Sequence, residues 1–331
     1  MPGSVTSVFS EPEDFEAALR KEGCLGLLIT GRDQFRAQLT QIVLNRLHLS
    51  AGEEQVSRVG FVEVPADGIL MLFPIGTASS PICGGIGMQA GEIMMVGPGQ
   101  RVHARTDGLC RWGTIRLPVE DLIRYGRALT GAPVTVPPVA RCWRPPAAAG
   151  RCLRQLHAAA IRMAQIRPQV FLDAEAAHGL EQQLIHGLVE CLPAGSADED
   201  IPAAHRHQDI IGRFEALVQS QPDRNLRLVE ICAVLGVSGR VLRRLCAEHL
   251  GMSPIDYVRL RRMSLVRRAL LRGNPSTVSV SEVARHYGFC ERGRFAAGYR
   301  ALFGESPSLT LRRGRRVGMI DRARRRPRVA V

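Results

Sequence analysis

Three things are scarce in this 331-residue chain, and each absence excludes something. No apolar run reaches the roughly 18 to 20 residues that a membrane-spanning helix needs. The first ten residues, Met1 to Ser10, lack a basic cap followed by an apolar core, so no secretory signal is expected. The nine cysteines are scattered, odd in number and never in a Cys-x-x-Cys pattern. That argues against a disulfide framework or a zinc ribbon and predicts a soluble protein of a reducing cytoplasm. Buried small hydrophobes are the expected role of these cysteines, with redox or metal sensing as the minor alternative. Lysine is almost missing too: Lys21 is the only one, so part of the arginine richness reflects genome composition.

What is present is unevenly placed. Hydrophobic residues make up 45% and charged residues 23%, the balance of a globular protein long enough for two domains. From His205 onward the sequence holds 26 arginines against 10 acidic residues, a net +16, while the first 204 residues carry −3. Both parts share one genome, so genome bias does not explain the contrast. A near-neutral domain followed by a strongly basic one is the footprint of a sensing part and a polyanion-binding part.

Residues 33–117 read as strands. Short apolar or alternating runs at 58–64, 69–73, 92–96 and 111–117, separated by Gly and Pro clusters, suit a small barrel or sandwich. Helix is expected from 147 to 192. Leu153, Leu156, Ala160 and Met163 form one stripe there, and Ala177, Leu180, Leu184 and Leu188 another, available either for packing on their own domain or for a dimer contact. The acidic, proline-flanked stretch 193–206 is the expected linker, and the arginine-rich 314–331 is expected to be a disordered basic tail that adds non-specific phosphate affinity.

Residues 207–313 hold the most specific pattern. In 228–245, Ile231, Leu235, Val237, Leu242 and Leu245 form an apolar lock, Cys232 is the small residue where two helices cross, and Gly236 permits a tight turn. Ser238 is placed to cap the second helix. The design recurs 52 residues later with Ala284, Gly288 and Phe289, opened by Ser279 and Glu282 as a capping box. Phe295, Tyr299 and Phe303 give its second helix a buried edge. One helix, Pro254 to Arg272, links the two units through a stripe of Tyr257, Leu260, Met263, Val266 and Leu270. One such unit is a weak signal; two on a linking helix in a basic region are a strong one.

These residues closely resemble the AraC/XylS family of transcription regulators. The resemblance rests on Ser238-x-Arg240-x-Leu242-x-Arg244, Gly251-x-Ser253-Pro254 with Tyr257 and Arg261, Gly288-Phe289, Phe295, Phe303-Gly304 and Ser306-Pro307. Cys246 stands where an aromatic is usual, Arg227 replaces a Ser or Thr cap, and Leu309-Thr310-Leu311 lacks a tyrosine often found there. The expected DNA contacts are Ser238, Arg240, Arg243, Arg244 and Ala247 on the first recognition helix and Arg292, Gly293, Arg294, Ala297 and Arg300 on the second. Arginine can pair bidentately with guanine in the major groove, whereas Gly293 and Ala297 lack hydrogen-bonding reach. The first unit is therefore expected to read sequence and the second to clamp the backbone.

The resemblance implies an α+β protein. Residues 1–192 would be a cupin-like β-barrel with dimerisation helices, followed by an all-α domain of two helix-turn-helix units. It also implies promoter DNA, a small-molecule effector, a second copy of the chain and RNA polymerase as partners, in an activator of the cytoplasm. Residues 91–103 look like a degenerate cupin motif, but no His-x-His precedes His103, and the one such pair, His205 and His207, lies at the linker. No metal, cofactor or enzyme activity is therefore expected. His103 and Trp112 are the candidate effector contacts. Two other readings remain, a barrel that only dimerises and a cupin enzyme fused to a DNA module.

Overall fold

The computed structural model describes residues 2–31, 34–76, 78–131, 134–193 and 201–314, with the side chains of 201–205 excluded. The expected basic tail from residue 315, and residues 194–200 of the expected linker, lie outside the described residues. Two compact units form: residues 1–212 make up most of one, and residues 213–247 with 252–331 the other.

Among the described residues the first unit has twelve strands, eleven of them before its longer helices: β1 (Gly3–Phe9), α1 (Pro12–Leu19), β2 (Cys24–Ile29), β3 (Ala37–Val43), β4 (His48–Glu54), β5 (Arg58–Glu63), β6 (Gly68–Pro74), β7 (Ile82–Cys83), β8 (Ile86–Gly87), β9 (Ile93–Val96), β10 (Arg101–Thr106) and β11 (Cys110–Pro118). After β11 come α2 (Val119–Thr130), β12 (Arg141–Trp143), α3 (Ala147–Ile166) and α4 (Ala174–Glu190). The strands build two sheets, β1-β3-β4-β11-β6-β9-β12 and β2-β5-β10-β7-β8. They do not close into the single barrel that the resemblance implied, and they begin at Gly3 rather than near residue 33.

The reason lies in β6 and β9, whose residues are all buried. Successive side chains of a strand point to opposite faces. Leu70, Leu72, Met94 and Val96 face the five-stranded sheet, where Val102, Cys83 and Leu27 meet them. Ile69, Met71, Phe73, Ile93 and Met95 face the other way, into a core shared with Leu122 of α2, Leu153, Ala160 and Ile161 of α3, and Leu184 and Leu188 of α4. A continuous apolar run is what a strand covered on both faces requires. The result is three layers: small sheet, large sheet, helices. Most of the two helical stripes is thus spent on the unit's own core; Leu156 and Leu180 are half-buried against it, and Met163 is exposed.

The second unit is helical: the part of α5 (Ile201–Ser220) from Arg213 on, α6 (Leu228–Leu235), most of α7 (Gly239–Leu250), α8 (Pro254–Arg272), α9 (Val280–His286), α10 (Arg292–Phe303), and a last short helix over residues 307–314. Helix α5 already begins inside the stretch expected to be linker.

Candidate nucleic-acid interface

The first helix pair follows from its capping chemistry. Arg227 precedes α6 and offers no side-chain acceptor, but its backbone N–H donates to Glu230 Oε2 at 3.2 Å, which keeps half of a capping box. Gly236 ends α6 at φ +68°. Ser238 then caps α7, its Oγ accepting from Val241 N at 3.3 Å. Ile231, Leu235, Leu242, Leu245 and Leu250 are buried, and so is Cys246, where its small side chain fits without an aromatic. This orientation turns Ser238, Arg240, Arg243, Arg244 and Ala247 to solvent. Arg240 and Arg243 meet no carboxylate among the described residues.

The second pair repeats the geometry with different details. Gly288 supplies the turn at φ +74°. Phe289, Phe295, Tyr299 and Phe303 stack in a ladder with ring centroids 5.2, 5.7 and 4.6 Å apart. Ser279 stands before α9 as expected, yet its hydroxyl makes no cap bond, so that half of the expected capping box does not form. Glu291 stands at the N-cap of α10 and pairs with Arg294 at 3.1 Å. Arg292, Gly293, Arg294, Ala297 and Arg300 are all exposed. Thr310 occupies the position without a tyrosine; it is buried, its Oγ1 accepts from the Tyr299 hydroxyl at 2.9 Å, and it donates to Glu305 Oε1 at 2.9 Å.

Helix α8 holds the two pairs together with arginines that the sequence did not single out for this role. On one side the buried Glu215 of α5 accepts from the Tyr257 hydroxyl at 2.6 Å and from Arg261 Nη1. On the other, Arg267 Nη1 lies 2.7 Å from Glu305 Oε1 and its guanidinium sits 4.8 Å from the Phe303 ring centroid. Between them Arg262 donates to Tyr287 O at 2.7 Å and Asn225 Oδ1 at 2.9 Å while lying over Phe289. Burial pushes its pKa below the ordinary value. Of the three, only Arg261 is marked in the sequence, as a motif residue; Arg262 and Arg267 look like their neighbours, and Glu215 and Glu305, acidic residues in a basic region, were the available signal. The net charge therefore overstates the cations offered to a ligand.

In the first unit, His103 and Trp112 do not share a site. Trp112 is on β11 and lines the space between the sheets, where its Nε1–H donates to Glu54 Oε1. Glu54 is fully buried and also accepts from Arg58 Nε at 2.6 Å and Nη2 at 2.7 Å; Arg58 Nη1 donates to Ala104 O at 2.7 Å. Burial alone would depress Arg58, but the charge and hydrogen bonds of Glu54 outweigh it and hold the guanidinium ionised. The cavity beside this pair measures about 70 Å³. His103 lies on β10 between Val102 and Ala104, whose side chains face that interior, so it points to the opposite face and stacks 4.9 Å from Phe61. Cys24, Cys83 and Cys110 are buried in the same unit, and burial pushes their thiols up to about 11, 12 and 12, which keeps them protonated and unreactive near neutral pH. Among the described residues no group of three His, Cys, Asp or Glu could hold a metal ion, and no helix is long and apolar enough to cross a membrane.

Residues 231–313 match the family model described as a helix-turn-helix domain. The chain is 41% identical over 103 residues to the XylDLEGF operon transcriptional activator 1 of Pseudomonas putida, covering 30% of this chain and 31% of that protein. It is 30% identical over 149 residues to the probable thc operon regulatory protein of Rhodococcus erythropolis, covering 43% and 45%. The chain thus spans about a third to a half of the length of these relatives. A crystal structure of the AraC-like transcriptional activator CuxR aligns over 79% of this chain and 94% of its own at 16% identity, with a TM-score of 0.40, too low for residue-level comparison. Two helix pairs locked on one linking helix, the motif residues in place and the match over 231–313 lead to one identification: the C-terminal part of this chain is a helix-turn-helix domain similar to those of AraC/XylS-type activators.

Proposed function

We propose that this protein is a transcriptional regulator, an activator in kind, that binds specific double-stranded promoter sites as a homodimer and acts on RNA polymerase. The observation that carries the reading is the exposed face of α7, where Arg240 and Arg243 stand without an acidic partner among the described residues. An arginine with no internal task is available to guanine N7 and O6, and a good bidentate pair discriminates by roughly 1–3 kcal/mol. Helix α8, with 19 residues, is about 28 Å long at 1.5 Å per residue. Successive major grooves of straight DNA are about 34 Å apart, so the bound DNA is expected to bend toward the protein. The first helix pair reads bases and the second holds phosphates.

The N-terminal unit is the sensor in this reading, binding a small-molecule effector that favours one DNA-binding arrangement over another. Genome-wide mapping of bound DNA tests the core of the proposal. A shared sequence motif whose two halves differ in information content is expected; uniform binding without a motif would overturn it. Arg240→Ala should relax preference at one base position, whereas equal loss on all sequences would remove Arg240 as a base reader.

A further inference from the structure

The space between the sheets, at about 70 Å³, is too small for an effector, because small-molecule sites run to roughly 300–1,000 Å³. A cleft of that size exists elsewhere in the same unit. It measures about 580 Å³ and opens between α3 and the end of β6. Its floor is apolar: Phe73, Pro74 and Ile75, with Ala158 of α3. Phe73 lies edge-on to His157 at 4.9 Å, and both fit only because residue 113 is glycine; a Cβ there would come within 2.5 Å of Phe73 and 2.9 Å of His157. His157 is fully buried, and burial pushes its pKa down to about 4, so the floor is uncharged at neutral pH.

The wall is cationic. Arg151, Arg154 and Arg162 line the cleft from one face of α3, and none of them meets a carboxylate among the described residues. Arg154 donates only to the Gly91 carbonyl, at 3.2 Å. Arg151 and Arg154 are three residues apart, a like-charge spacing that costs a helix a few tenths of a kcal/mol unless an anion relieves it. Arg154, Ala158 and Arg162 follow at intervals of four and so share one stripe. Eight residues at 1.5 Å place the two arginines about 12 Å apart along the axis, with the alanine between them.

We propose that this cleft is the effector site and that it takes a small organic dianion, one anionic group at each end of an apolar body. Arg151 and Arg154 hold one end, Arg162 holds the other, and the middle lies on Phe73 and Ala158. The proposal rests on the reading of the N-terminal unit as a sensor.

Calorimetry on the full chain with glutarate, adipate and suberate tests it, with hexanoate, 1,6-hexanediol and inorganic phosphate as comparison probes. One dicarboxylate length should bind tightest, hexanoate about tenfold more weakly for the loss of one charged hydrogen-bonding end, and the diol not measurably. Arg162→Gln should bring the best dicarboxylate down to the level of hexanoate, and Arg154→Gln should weaken both. Arg162 is exposed and Arg154 half-buried, and unchanged thermal unfolding without ligand will show that the variants fold. Binding that ignores chain length, phosphate binding as tight as the best dicarboxylate, or equal binding by the wild type and both variants would overturn the site. Retention of site-specific DNA binding in those cases would leave the regulator reading intact, whereas its absence both with and without the dicarboxylates would sink that reading.

Discussion

The two helix pairs share a backbone design and differ in almost everything laid over it. Each turns on a glycine with positive φ and each buries an apolar lock, and α8 between them is anchored at both sides by an arginine on a glutamate, Arg261 on Glu215 of α5 and Arg267 on Glu305 after α10. Their outward faces diverge. Helix α7 begins under a neutral serine cap and presents Arg240, Arg243 and Arg244; α10 begins under Glu291, which engages Arg294, and presents Gly293 and Ala297. Packing constraints are common to both pairs because both must lock on one helix. The solvent face carries no such constraint, so it is where the two can be assigned separate tasks.

The largest effect on this comparison should come from the two glutamate ties. Glu215→Leu removes the buried carboxylate that Arg261 and the Tyr257 hydroxyl share, and Glu305→Leu removes the one that Arg267 meets; each should cost about 3–5 kcal/mol in urea denaturation. Equal and additive losses would mean that α8 holds the pairs independently, while a loss confined to one variant would break the symmetry. Next come the turn glycines. Gly236→Ala meets no atom within 4 Å and should cost only the left-handed backbone strain, about 1 kcal/mol. At Gly288 a Cβ would lie 2.4 Å from Arg262 Nη2 and 2.8 Å from the Asp223 carbonyl, so Gly288→Ala should cost about 2–4 kcal/mol, with overpacking added to strain.

Smaller effects concern the caps and the faces. Ser238→Ala should lose about 1 kcal/mol and Ser279→Ala well under half of that, since only the former makes a cap bond. Thermal unfolding in which the two variants are equal would show that Ser279 caps in solution. On DNA, Arg243→Ala should narrow the difference between cognate and random sites by about 1–3 kcal/mol. Glu291→Gln should tighten binding modestly and equally on all sequences, because an acid at a helix N-terminus repels phosphate. A change of base preference from Glu291→Gln would mean that α10 reads sequence after all.

Much of the second unit was legible because helix-turn-helix geometry writes itself locally: a glycine at the turn, a small residue at the crossing, apolar residues at helical spacing. The stripe from Tyr257 to Leu270 and the ladder from Phe289 to Phe303 needed nothing from distant parts of the chain. The N-terminal unit was less legible. Its runs at 69–73 and 92–96 announced buried strands, but which residue of each run faces which layer depends on partners far away in sequence. The pairing of β1 with β3 across the first forty residues and the burial of the Glu54–Arg58 pair carry no periodic mark at all. His103 and Trp112 were chosen by residue type, and alternation along two different strands set them on unrelated faces.

By itself, then, the sequence determined the two helix pairs, their linking helix, the arginine-rich face of α7 and the poorer face of α10, because each depends on contacts within a few turns of chain. Only the tertiary structure decided that the strands form two sheets instead of one ring, that three arginines of α8 serve as internal ties, and that Arg154 and Arg162 overlook an apolar cleft. Those outcomes rest on long-range packing, and a residue's type fixes its chemistry but not the neighbours on which that chemistry acts.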